Sequence, residues 1–163
     1  MKKSLLYVLA LLIIVIGVTA CGKTEEKNKN TSGKITITCT SEKEKNVGLE
    51  TQNVVTYHFN EEQYVTDYSV TTTQKFDKES VYKEYKAAQE ESVNSSDGDI
   101  SYDLKSDDKA KTLVFTMTIN EINVDDAETE EEKNNLKASS IIKTSESSGN
   151  TCTIEGIDKS DLK

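Results

Sequence analysis

The chain has 163 residues, a formal net charge of -9, one histidine, three cysteines, no proline and no tryptophan, and only 34% of its residues are hydrophobic. That length suits one domain and not two good cores. The acidic balance argues against binding to nucleic acid or anionic lipid heads through a basic patch, and a single histidine excludes histidine-cluster metal sites.

Residues 1–20 carry much of the apolar content. Lys2 and Lys3 precede an uncharged run from Leu5 to Ile16, which gives way to Gly17, Thr19 and Ala20. This is the basic and apolar order of an export signal. The run is too short to remain as a spanning helix, which needs roughly 20 apolar residues. Val18-Thr19-Ala20-Cys21 resembles a bacterial lipobox. The resemblance implies cleavage before Cys21 and a diacylglyceryl group on its sulfur. Two acyl chains give the stable anchoring that one chain cannot. Removing residues 1–20 takes away two lysines and no acid, so the charge moves from -9 to -11. Attachment is therefore expected through the lipid on Cys21.

Residues 21–33 have no apolar periodicity and read as a flexible tether. The Asn-X-Ser pattern at Asn30 and at Asn94 reads as polar loop. A single domain is expected over 34–155, followed by a fraying tail at 156–163.

Ile35, Ile37 and Cys39 alternate with threonines, the period of a half-buried strand. A turn is expected over Ser41–Gly48. Val55, Tyr57 and Phe59 mark a second strand, Asn60–Gln63 a hairpin link, and Tyr64 to about Gln74 a third strand. In that third strand Tyr64, Thr66, Tyr68 and Val70 share one face, and Val65, Asp67 and Ser69 the other. The period then becomes helical: Asp77 is a candidate N-cap, Val81 a staple partner for Phe76, and Val81, Tyr85 and Ala88 the buried stripe. Asn94–Gly98 closes the helix. Ile100, Tyr102 and Leu104 predict a fourth strand, Ser106–Lys109 a turn, and Leu113, Phe115, Met117 and Ile119 a fifth strand. Acids from Asp125 to Glu132 favour the start of a second helix, with Leu136, Ala138, Ile141 and Ile142 poorly phased behind them. Thr144–Asn150 reads as loop and Thr151–Ile154 as a last short strand. The fold class expected is α+β: a two-layer arrangement in which an antiparallel sheet of five to six strands, in meander and hairpins, carries one or two helices on one face.

The order of hairpin, strand, helix, hairpin and helix behind a lipobox resembles the small uncharacterised bacterial lipoproteins of the YehR-like family. The likeness is carried by Val18–Cys21, by Tyr64–Phe76 leading into Asp77–Glu91, and by the hairpin Ile100–Ile119. It implies a membrane-anchored, extracytoplasmic α+β domain with no assigned chemistry. The Cys39 and Cys152 pair departs from that family.

Motifs for chemistry are missing from the sequence. Setting Gly98 at the sixth place of a calcium loop puts Val93 first and Leu104 twelfth, where carboxylates are required. No nucleophile elbow, phosphate loop or dinucleotide fingerprint is present. His58 reads as a surface histidine, and the acidic run as a solvated helix start. No catalytic residue, metal site or cofactor is expected. The favoured reading is a non-catalytic binding or interaction module at the outer face of the cell membrane. Its partner would be an unidentified protein or small ligand, and not nucleic acid. The alternative is a small envelope enzyme using Asp99, Asp103, Asp125 and Asp126 as acid and base, which would need a cleft that parts their pKa values. With Cys21 acylated, Cys39 and Cys152 are the one remaining pair, and outside the reducing cytoplasm they are expected to form a disulfide.

Overall fold

The computed structural model describes residues 35–93 and 99–163. The signal, the lipobox with Cys21, the tether and the Asn94–Gly98 turn lie outside the described residues. The protein is α+β, with a mainly antiparallel sheet accompanied by helices.

Among the described residues seven strands form one sheet: β1 (Ile35–Thr40), β2 (Glu44–Asn46), β3 (Leu49–Phe59), β4 (Val65–Phe76), β5 (Ile100–Asp107), β6 (Thr112–Ile119) and β7 (Thr151–Glu155). Their order is β5-β6-β4-β3-β1-β7, with β2 pairing β3. β2 lies in the stretch read as turn. Its residues Glu44, Lys45 and Asn46 are all exposed and carry no apolar alternation. Val47-Gly48 closes the β2–β3 hairpin in two residues, and Gly48 takes the left-handed conformation, φ +82°, that the tight turn requires.

Alternation decides which side chains face inward. Ile37, Tyr57, Tyr68, Ile119 and Ile100 stand in one rank across five strands, and Cys39, Val55, Val70 and Met117 in the next. These residues pack with Leu136, Ala138, Ile141 and Ile142 into the larger core. Val65 departs from its expected face. The ladder pairs Phe59 with Val65 but His58 with Asp67, so Thr66 is an extra residue, a bulge that returns Val65 to the core at 1% exposure. The Thr66 carbonyl, released from the ladder, accepts from Ile122 N at 2.7 Å.

Helix α1 (Glu79–Val93) follows β4. Its buried side chain is Tyr82, with Lys86, Gln89 and Val93 half-buried on the same stripe. Tyr85 and Ala88, expected inward, are exposed. The stripe is rotated because Tyr82 fills the space beside Phe76 and Leu113, making a smaller core with ring centroids 5.9 Å apart for Phe76 and Tyr82. Val81 packs against the same cluster, while the helix begins at Glu79, one residue later than the expected cap at Asp77 would start it.

The expected second helix is two helices, α2 (Glu130–Asn135) and α3 (Ala138–Ser147), preceded by a 3-10 turn at Val124–Asp126. The break has a cause in the hairpin opposite. Leu136 O accepts from Val65 N at 3.0 Å and Ala138 N donates to Gln63 O at 2.9 Å, so residues 136–138 spend their backbone groups on a β-like pairing. Restarting at Ala138 puts Ala138, Ile141, Ile142 and Ser145 on one buried stripe and carries the helix through most of the stretch read as loop. The β5–β6 turn falls over residues 108–111, with Lys111 at φ 53°, two residues later than expected. The C-terminal residues, expected to fray, are tied down. Gln63, 5% exposed, donates from Nε2 to Asp161 O at 3.0 Å and accepts at Oε1 from Lys163 N at 2.6 Å, and Leu162 packs on the larger core.

Candidate functional site: the outer face of the sheet

By their register the sheet's core residues named above share one face. The other face is built by the alternate residues, which in this sequence are mostly threonine and serine. Ser101, Thr118, Ser69, Thr56, Thr38 and Thr153 stand opposite one another across six strands, forming one continuous rank of hydroxyls. The neighbouring rank runs Asp103, Thr116, Thr71, Val54, Thr40 and Thr151. Hydroxyls in a rank are spaced by the distance between strands, about 4.8 Å. Thr71 and Thr116 share a hydrogen bond at 3.1 Å, and Thr153 Oγ1 donates to Thr38 O at 3.4 Å. β-Branched threonine suits this half-exposed pleated surface, which explains the local sequence without a ligand.

Charge stands at both ends of the face, Glu50 opposite Lys75 at one and His58 opposite Asp67 at the other. His58 Nδ1 lies 2.5 Å from Asp67 Oδ1, and Thr66 Oγ1 donates to Asp67 Oδ2 at 2.9 Å. Thr36 stands beside His58 on β1, and Glu155 beyond it on β7. His58 thus sits on the polar side as read, but its carboxylate partner was not foreseen. The only sequence signal is that both residues occupy outward positions of strands joined by a hairpin.

Few of the expected site residues come together. Cys39 and Cys152 do, as directly opposed residues of β1 and β7, with an S–S distance of 2.05 Å. The four carboxylates of the enzyme reading stand on separate parts of the chain. Asp103 lies on the outer face 3.4 Å from Lys105 Nζ, Asp99 precedes β5, and Asp125 and Asp126 belong to the 3-10 turn. Among the described residues no group of three or more His, Cys, Asp or Glu side chains is placed to hold a metal ion. The acidic run is spent partly on capping. Thr129 accepts from Glu132 N at 3.1 Å, while Glu132 Oε2 accepts from Thr129 N at 3.1 Å and Glu128 N at 2.7 Å.

The shifted titrations on the inner side belong to structure. Burial pushes the Tyr57 and Tyr68 hydroxyls up, and the neighbouring Tyr57 adds to the rise at Tyr68. Tyr68 Oη and Asn150 Oδ1 are buried without a hydrogen-bond partner among the described residues. Near α1, Lys86 and then Tyr82 hold the Asp108 carboxyl below its usual range; Lys86 Nζ is 2.7 Å from it and Tyr82 Oη donates to it. No family model, curated protein or solved structure matches the chain.

Proposed function

We propose that this protein is a lipid-anchored, extracytoplasmic lipoprotein that acts as a non-catalytic binding or interaction module. Val18–Cys21 supplies the anchor, and the outer face of the sheet is the surface presented. The likeness to YehR-like lipoproteins belongs to the same proposal, as does a two-layer architecture with all helices on one side. The observation that carries the reading is the hydroxyl rank from Ser101 to Thr153, a surface without charge in its centre on a chain of net charge -9. Few apolar side chains stand on it, Val54 and Val114 among them, so it lacks the aromatic and arginine anchors of a tight protein interface. A neutral, hydroxyl-bearing or amide-bearing partner suits it better than an anionic polymer.

The test has two arms. Cys21→Ser in the full chain should abolish lipid attachment and leave the protein unprocessed or released from membranes; wild-type processing and fractionation of the variant would overturn the anchor. Capture from the native envelope should be lost in the full chain carrying Thr56→Arg and Thr118→Arg, which crowd the centre of the rank. Capture unchanged by those substitutions would remove the outer face from the proposal.

A further inference from the structure

β5 ends the sheet on the side away from β7, and none of the described residues pairs with its outer rim. Asn120 N donates to Asp99 O at 3.0 Å, which sets the alternation along the strand. In an antiparallel ladder this turns the backbone groups of Ser101, Asp103, Lys105 and Asp107 toward β6, and those of Tyr102, Leu104 and Ser106 toward the open rim. Charged side chains on an open edge usually reject a further strand. Here their signs alternate on one face. Asp103 and Lys105 both point outward, with 60% and 78% of their side chains exposed, and their only mutual contact is the 3.4 Å pair between them.

We infer that β5 is a self-pairing edge whose partner is β5 of a second copy of this chain, running antiparallel about a two-fold axis at Leu104. In that register Leu104 faces the partner's Leu104, Asp103 faces the partner's Lys105, and Lys105 faces the partner's Asp103. The rim-facing groups of Tyr102, Leu104 and Ser106 complete ladder bonds with the partner's Ser106, Leu104 and Tyr102. Other registers fit worse. Moving the axis to Asp103 sets two aspartates face to face, and moving it to Lys105 sets two lysines face to face. An axis at Tyr102 shortens the overlap within the strand to Ile100–Leu104. Surface ion pairs contribute little affinity, so backbone pairing holds the dimer and the charges select its register. A two-fold axis normal to the sheet keeps both hydroxyl faces on one side, so pairing doubles the presented surface. The inference does not depend on the lipid anchor.

The test is oxidative cross-linking of the detergent-solubilised full-length chain, read by non-reducing electrophoresis. Directly opposed residues of a hydrogen-bonded antiparallel pair have Cα atoms about 5.5 Å apart, within reach of a disulfide. Leu104→Cys is expected to yield a covalent dimer, and Ser101→Cys, which faces the partner's Asp107, is not. In the Leu104→Cys background, Asp103→Lys should shift the register and abolish the cross-link at position 104, and Asp103→Lys combined with Lys105→Asp should restore it. A Leu104→Cys chain that stays monomeric, a Tyr102→Cys chain that cross-links in its place, or an Asp103→Lys variant that dimerises as its parent does would each overturn the proposal.

Discussion

The two cores on the inner face are secured by different means. The larger one gathers β1, β3, β4 and α3 around Ile37, Tyr57, Tyr68 and Ile142, and the Cys39–Cys152 bond and the Gln63 clasp close it. The smaller one is Phe76, Tyr82 and Leu113, with polar reinforcement from Lys86 and Asp108 outside it. Between them the rank Asn53, Thr72, Phe115 and Leu104 puts a polar pair on the inner face, with Thr72 Oγ1 donating to Asn53 Oδ1 at 2.8 Å. Apolar packing is therefore not continuous along the sheet. The α1 end should open first in local unfolding, because fewer buried contacts hold it.

The largest expected effect removes the covalent tie. The disulfide spans a sequence separation of 113, and closing a loop of that order restricts the unfolded chain by about 4.7 kcal/mol in the entropy model. Cys39→Ser with Cys152→Ser should lower stability by up to that amount in urea denaturation. Equal stability of oxidised and reduced protein would refute it. Phe76→Ala attacks the other core and should cost about 3–5 kcal/mol. Hydrogen exchange should then rise over α1 while β1 and β7 stay protected; uniform loss would show that the two cores are one cooperative unit. Gln63→Ala, which deletes both tail bonds, should cost about 1–3 kcal/mol and expose residues 156–163 to proteolysis. An unaltered cleavage pattern would count against the clasp.

The smallest effect concerns Tyr68. Its hydroxyl has no partner among the described residues, so Tyr68→Phe should be neutral or stabilising by about 1 kcal/mol. Raised above its ordinary value of 10.0 by burial, the Tyr68 hydroxyl stays neutral in the fold while the unfolded chain ionises. Its contribution is therefore fully present below pH 10.0 and is lost as pH rises through the folded value. The phenylalanine variant should resist alkaline unfolding better than wild type, and identical alkaline midpoints would contradict that sign.

Legibility in the sequence follows how locally each residue's role is decided. Ile35-Thr36-Ile37-Thr38-Cys39-Thr40 and Leu113 to Ile119 alternate cleanly because both of their neighbours in the sheet demand the same inward face. The first half of β3 was hidden because Thr51 and Asn53 face inward at the gap between cores, where no apolar signal is required. Val65 was misplaced by a bulge whose cause is tertiary, and the α2–α3 break by a hairpin more than sixty residues upstream. The Cys39–Cys152 bridge was legible by elimination. Of the surface now offered as the site, each strand showed its own threonines, but only the register reveals that they form a rank.

Among the described residues the first strand is completed by the last: β1 lies between β3 and β7, and Gln63 grips Asp161 and Lys163, 98 and 100 residues further along. A polypeptide emerging from its N-terminus can form the β3–β4 hairpin early, but it cannot close the larger core until Leu162 has appeared. Pairing of β3 with β4 can therefore precede closure of the larger core, which waits on residues about a hundred positions further along the chain.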